Sequence, residues 1–248
     1  MKSSTSIIII PARLSSNRLS NKPLIKIGTI PMIIRVYNQA LKANIGKVFV
    51  AGCDDRLAKL IKSYNFNYIH TEKNLISGTD RVYNAYTTLN QKVDNIINLQ
   101  SDMPFIDPNT LRKIDNVLSS KDNQHYDIVT AVTSIEDHLI QNINTVKVIK
   151  NNQDMALYFT RNAIKLSKNF KHIGVYGFKV EALAKFASLP LSTLEKDEGL
   201  EQLRALDNGM KIKITIANDP NFSINTKQDL IESIQYVKEY KERLHNKS

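Results

Sequence analysis

Four consecutive isoleucines, Ile7 to Ile10, give way abruptly to a loop of small polar residues. A run of β-branched residues bounded by turn formers predicts a strand buried on both faces, as found inside parallel sheets. After Pro31, a residue type favoured where a helix begins, Met32, Ile33, Val36, Tyr37, Ala40 and Leu41 recur at helical spacing. KVFVAG then reads as a strand, DDRLAKLIKSY as a helix with Leu57, Leu60, Ile61 and Tyr64 on one stripe, and FNYIHT as a strand. SGTDRVYNAYTTL opens a third helix, DNIINLQSD is the next strand, and PNTLRKIDNVLSS is a helix from near Pro108. This alternation predicts an α/β fold, a mostly parallel doubly wound sheet with helices on both faces.

The pattern changes after Ser120. DIVTAVTSI, TVKVIKN and ALYFTRN are strand-like with no helix between them, which predicts antiparallel additions. They outline a small β lobe over approximately 127–162, a candidate dimer interface, within a single domain of 1–248. HIGVYGFK reads as a strand returning to the main sheet, and TLEKDEGLEQLRAL as one helix stopped at Gly209. KIKITIAN alternates like a half-buried strand. NTKQDLIESIQYVKEYKERL closes the chain as an amphipathic helix capped by Asn225 or Thr226.

Composition narrows the picture. A chain of 248 residues buries a sizeable core without covalent help, and the single cysteine, Cys53, allows no internal disulfide. No long apolar segment or signal-peptide pattern is present, so the expectation is a cytoplasmic protein that does not enter a membrane. The formal charge of +10 raises the question of nucleic acid. Its lysines are scattered, tryptophan is absent, and no basic run interleaves with aromatics, so the charge reads as solvated surface and no nucleic-acid partner is expected.

Four stretches could carry chemistry. The opening loop places Arg13, Arg18 and Lys22 at the carboxyl end of a buried strand, where open α/β sheets bind ligands; an anion such as a triphosphate competes there with a reading as ordinary surface cations. In LQSDMP, Asp102 stands at the tip of a strand and suits Mg²⁺, or it caps the helix near Pro108. In SGTDR, Gly78 would admit a base or ribose and Arg81 adds a donor, although Ser-Gly-Thr is also an ordinary helix cap. His172, Gly174 and Tyr176 share one strand face, with Glu201 and Gln202 on a following helix; they suit a polyhydroxylated ligand or simple packing.

Taken in order, these stretches resemble the 3-deoxy-manno-octulosonate cytidylyltransferases, or CMP-KDO synthetases, from Ile7 to about Leu230. PARLSSNRLSNKPL is similar to the family signature PAR-x-x-S-x-R-L-x-x-K-P-L, SGTDR to its SGT-E/D-R element, and LQSDMP to its QGDEP element. NTVKVI, ALYFTRN, HIGVYGF and LEQLR fall at later landmarks. The resemblance implies a Rossmann-like nucleotidyltransferase fold and Mg²⁺-dependent transfer of CMP from CTP to the anomeric hydroxyl of KDO, an acidic eight-carbon sugar, for lipopolysaccharide synthesis, by a homodimer. It gives Arg13, Lys22 and Asp102 catalytic roles, and assigns Ala12, Arg13, Lys22, Ser77, Gly78, Thr79, Arg81, Gln100 and Asp102 to the nucleotide. Arg18, His172, Tyr176, Glu201 and Gln202 go to the sugar acid, and Asp102 and Asn225 to the metal.

Several positions depart from the family pattern. Asn225 stands where the family carries an aspartate, Ser101 and Met103 replace glycine and glutamate, Ser20 and Asn21 replace Pro-Gly, and Cys53 replaces an aspartate. The stretch between Arg161 and His172 is shorter than in the family. An active but divergent enzyme and a non-catalytic nucleotide-binding relative are both compatible with these changes, as is transfer to another acidic sugar.

Overall fold

The computed structural model describes residues 5–15, 19–164, 166, 168–218 and 223–245, with side chains as far as Glu239. The first half alternates β1 (Ser6–Pro11), β2 (Lys26–Ile27), β3 (Ile30–Pro31), α1 (Met32–Ala43), β4 (Val48–Gly52), α2 (Asp55–Ser63), β5 (Tyr68–His70), α3 (Gly78–Thr88), β6 (Asn95–Leu99) and α4 (Pro108–Ser119). The second half continues with β7 (Ile128–Ser134), β8 (Lys147–Lys150), β9 (Ala156–Thr160), β10 (Phe170–Lys179), α5 (Val180–Ser188), α6 (Thr193–Glu198), α7 (Gln202–Asp207), β11 (Ile212–Ile216) and α8 (Lys227–His245).

The isoleucine run behaves as its composition demands. Ile8 and Ile10 pack into the core with Ile33, Val36 and Tyr37 of α1 and Leu111 and Ile114 of α4. Ile7 and Ile9 point the other way, among Val82 and Ala85 of α3 and Leu183 and Phe186 of α5. Strand geometry sends alternate side chains to opposite faces, so a continuous apolar run needs helices on both.

The main sheet runs β11-β7-β10-β6-β1-β4-β5, and the β8–β9 pair hangs from β10. β1 pairs in parallel with both β4 and β6. The chain therefore builds outward from β1 through β4 to β5, then crosses back to lay β6 on the other side of β1. That reversal opens a crevice at the carboxyl ends of β1 and β6, where doubly wound sheets bind ligands.

Two expectations need correction. β7 is part of the main sheet, antiparallel to β10 and parallel to β11, and does not belong to a lobe with β8 and β9. Its first six residues are all buried, which marks an interior strand. The helix expected over TLEKDEGLEQLRAL is two helices, α6 and α7, because Gly199 turns the chain at φ 62°. Glycine adopts this left-handed conformation without steric cost, and it ends α6. The stop at Gly209, with φ 71°, is where the sequence puts it.

Candidate active site

The crevice is a cleft of about 480 Å³ lined from four separate stretches of chain. Ala12, Arg13, Ser15 and Lys22 come from the loop after β1, Ser77, Gly78 and Arg81 from the start of α3, Gln100 to Asp102 from the loop after β6, and Asn225 from just before α8. Nine of the residues singled out in the sequence thus meet in one place. Among the described residues, the lining carries three cations, Arg13, Lys22 and Arg81, against one carboxylate, Asp102, a balance suited to an anionic ligand. Arg18 lies outside the described residues.

Local folding explains how Lys22 arrives there. The Asn21 N–H donates to Leu14 O at 3.1 Å, pinning the ends of the loop together. Asn21 itself sits at φ 53°, a left-handed conformation that asparagine tolerates better than other side-chain-bearing residues, so it does the work of the family's glycine. A short turn from Lys22 to Leu24 follows, with Pro23 buried beneath it. The Lys22 ammonium then donates to Asp102 Oδ2 at 2.7 Å and to Asn225 Oδ1 at 3.1 Å.

Asn225 is brought to that ammonium by the backbone next to it. The Ile224 N–H donates to Asp102 O at 2.9 Å, which docks the entry to α8 on the loop after β6. Asp229 Oδ2 then accepts from the N–H groups of Asn225 and Thr226, while the Thr226 hydroxyl accepts from Asp229 N–H. Thr226 is therefore the cap of α8, and the Asn225 side chain is left to the cleft. Asp102 is likewise free of capping duty, because Asp107 caps α4 by accepting from Asn109 N–H at 3.0 Å.

SGTDR is a helix cap, and its residues also reach the cleft. Ser77 and Asp80 form a reciprocal cap at the start of α3, and Ser77 and Gly78 still line the cleft. A side chain at Gly78 would press on the Gln100 amide, its Cβ 3.1 Å from both Nε2 and Oε1. Arg81 is 4% exposed, and its guanidinium donates to Thr71 Oγ1 and the carbonyls of Glu72 and Lys73. It shapes the loop before α3 as well as lining the cleft.

The remaining five residues, Thr79, His172, Tyr176, Glu201 and Gln202, stand behind this wall. Glu201 Oε2 accepts from Thr79 N–H at 3.2 Å, and the Tyr176 hydroxyl donates to Gln202 Oε1 at 3.0 Å. Burial raises the pKa values of Glu201 and Tyr176; hydrogen bonds from Thr79 and Ser77 oppose the rise at Glu201 without cancelling it. Gln202 Nε2 is buried without a partner among the described residues. His172 sits where β10 shifts register between Ile173 and Tyr176. Thr130 Oγ1 donates its one proton to Val175 O at 2.7 Å, so it accepts from His172 Nε2–H at 2.9 Å, leaving Nδ1 as the acceptor.

Burial also lowers the His172 pKa from 6.5 to about 3. Unfolding restores an ordinary imidazole, so between those values the unfolded chain binds the extra proton; stability is full above about pH 6.5 and falls as pH drops, by up to about 1.4 kcal/mol per unit. Melting curves from pH 7 down to 4.5 are expected to show a steeper loss for the natural protein than for His172→Asn. Parallel losses would contradict a buried neutral imidazole.

Two groups in this region escaped the sequence reading. Asn98, 0% exposed, donates to Thr79 Oγ1 at 2.9 Å and accepts from Gln100 Nε2 at 3.2 Å, so it fixes the amide that faces Gly78. An amide inside the apolar run IINL was the available signal. The other is Arg204, 1% exposed, whose partners Glu195 and Asp80 are too far off in sequence to be paired by spacing.

Comparison with known proteins gives this site a context. The cytidylyltransferase family pattern matches residues 7–212. The 3-deoxy-manno-octulosonate cytidylyltransferase of Rickettsia canadensis (strain McKiel) is 40% identical over 240 residues, covering 95% of this chain and 97% of the relative. That of Rickettsia prowazekii (strain Madrid E) is 40% identical over 242 residues, 96% of this chain and 97% of the relative. The chain belongs to the 3-deoxy-manno-octulosonate cytidylyltransferase family. A solved structure of CMP:2-keto-3-deoxy-manno-octonic acid synthetase complexed with CTP superposes with a TM-score of 0.88 at 31% identity, covering 96% of this chain and all of that one. The 4-diphosphocytidyl-2C-methyl-D-erythritol synthase of Anaerococcus prevotii, at 15% identity and a TM-score of 0.62, shares the fold. Membership makes the chain a nucleotidyltransferase of the cytidylyltransferase kind. No described helix is long and apolar enough to cross a membrane.

Proposed function

We propose that the protein transfers CMP from CTP to the anomeric hydroxyl of KDO and releases pyrophosphate. The observation that carries this reading is the Lys22 ammonium held between Asp102 and Asn225 in a cationic cleft at the sheet's switch point. The sugar hydroxyl oxygen bonds to the α-phosphorus as the α–β bridging bond breaks, the hydroxyl proton passes to solvent, and pyrophosphate departs in line. Such a reaction asks the protein chiefly for positioning and charge neutralisation. Arg13 and Lys22 would hold the triphosphate, and Ser77, Gly78, Thr79, Arg81 and Gln100, with the Ala12 backbone, the nucleoside end. His172, Tyr176, Glu201 and Gln202 would orient the sugar acid, joined by Arg18.

The donors suit a hard cation. Asp102 Oδ2 and Asn225 Oδ1 already converge on one positive centre, and Mg²⁺ takes one or two protein oxygens together with phosphate oxygens and water. When bound, Mg²⁺ neutralises phosphate charge and makes the sugar hydroxyl a better nucleophile. Asn225 supplies an oxygen without charge, so Asn225→Asp is expected to lower the Mg²⁺ concentration giving half-maximal rate, on the order of tenfold. An unchanged or raised requirement would remove Asn225 from the metal set. A homodimer and a cytoplasmic setting belong to the same proposal.

KDO-dependent release of pyrophosphate from CTP tests the reading. Release independent of KDO, or none from protein that binds CTP, would favour the non-catalytic relative, for which Asn225 is the supporting observation.

A further inference from the structure

Arg204 is a large cation in the interior, 1% exposed, with its head fully engaged. Nε and Nη2 donate to the two oxygens of Glu195 at 2.7 and 2.8 Å, Nη1 donates to Asp80 Oδ1 at 3.1 Å, and the guanidinium lies over the Phe186 ring at 4.6 Å. Asp80 also belongs to the reciprocal cap, its Oδ2 accepting from Ser77 N–H at 3.0 Å. The first turn of α3 is thus gripped twice from the α7 side, at Asp80 by Arg204 and at Thr79 by Glu201.

Each end of this grip serves a different part of the site. Ser77 and Gly78 line the nucleotide cleft, whereas Glu201 and Gln202 surround Tyr176. Building on the functional reading above, we propose that Arg204 is a positioning residue. Its fork ties α7 to α3 and fixes the spacing between the bound α-phosphate and the attacking sugar hydroxyl, while touching neither substrate. A buried arginine that served stability alone would be complete with Glu195; the third bond, to the residue that caps the cleft wall, is what couples the two sides. In-line transfer is sensitive to such spacing, since misplacement by about 1 Å costs on the order of 10²-fold in rate.

Asp80→Asn separates the coupling from the burial. Its amide oxygen can still accept from Ser77 N–H, and the Glu195–Arg204 pair is untouched, but the amide NH₂ then meets Arg204 donor to donor. The expected result, in the full-length protein with CTP, KDO and Mg²⁺ assayed below the variant's melting transition, is a kcat lowered roughly 10- to 100-fold with KM for CTP changed less than about threefold, alongside a lower melting temperature from the donor-to-donor contact. Arg204→Lys keeps the charge but loses the fork. It is expected to lower kcat similarly, and the double variant should be no slower than the slower single one, because both changes remove the same contact. Unchanged kcat in folded Asp80→Asn, or multiplicative losses in the double variant, would overturn the positioning role while leaving the transferase reading intact. A natural protein that binds CTP but makes no product with KDO would overturn both.

Discussion

Asp102→Asn is expected to lower the rate of CMP transfer by about 10³-fold, the scale set when a site loses a principal electrostatic contributor to its transition state. Asp102 is the only carboxylate among the described residues lining the cleft, and its neighbour at the cation position is the neutral Asn225. A family member with two aspartates keeps some negative charge when one is lost; here the described lining would keep none. The substitution is nearly isosteric, and the Lys22 and Asp102 side chains are 14% and 23% exposed, so water can replace much of what the pair loses. The melting curve should therefore shift far less than the rate, since cleft water can take up the hydrogen bonds that the pair loses. Steady-state rates across a Mg²⁺ series, with melting curves alongside, check this. Activity within about tenfold of the natural protein would mean that Asp102 is not the centre of the site.

Lys22→Ala is expected to lose about 10²- to 10³-fold, because a fixed donor aimed at developing charge in a partly enclosed site is removed. Lysine is a compact charge on a flexible stem, and here its ammonium fits between two oxygens that both accept from it. The broader, planar guanidinium does not match that slot, so Lys22→Arg should recover only part of the rate. The loss is expected mainly in kcat, with a smaller rise in KM for CTP, since Arg13 still lines the cleft. Full activity in Lys22→Arg would indicate that charge alone matters; full activity in Lys22→Ala would remove Lys22 from the mechanism.

What the sequence disclosed follows from which forces act locally. The β-branched run of β1, the helical stripes of α1 and α2, and the caps at Ser77 and Thr226 are short-range effects, and each element stands where its pattern puts it. The convergence of residues on the cleft was legible because they lie in the loops that leave strands, in particular after β1 and β6, and strand order alone brings those loops together. β7 was misplaced because a strand with no helix before the next one reads the same at an edge or in the interior. Gly199 was passed over because a helix pattern on both sides of a glycine does not reveal its sign of φ. Arg204, Glu195 and Asp80 could not be joined from spacing at all, since the bonds between them depend on two helices folding against a third.

The departures from the family pattern also separate on the structure. Asn21 keeps the backbone conformation that glycine would supply, and its N–H still reaches Leu14 O. Asn225 keeps the position of its oxygen but not the charge, and the Lys22 ammonium is already bonded there. One change is conformationally silent, while the other alters the electrostatics where the phosphates would bind.

The most direct test of the central claim is the identity of the product. Mass spectrometry of CTP incubated with KDO, Mg²⁺ and the natural protein is expected to show CMP joined to KDO, formed one for one with pyrophosphate. CTP left intact, or free CMP or CDP without a sugar conjugate, would contradict transfer of CMP to KDO.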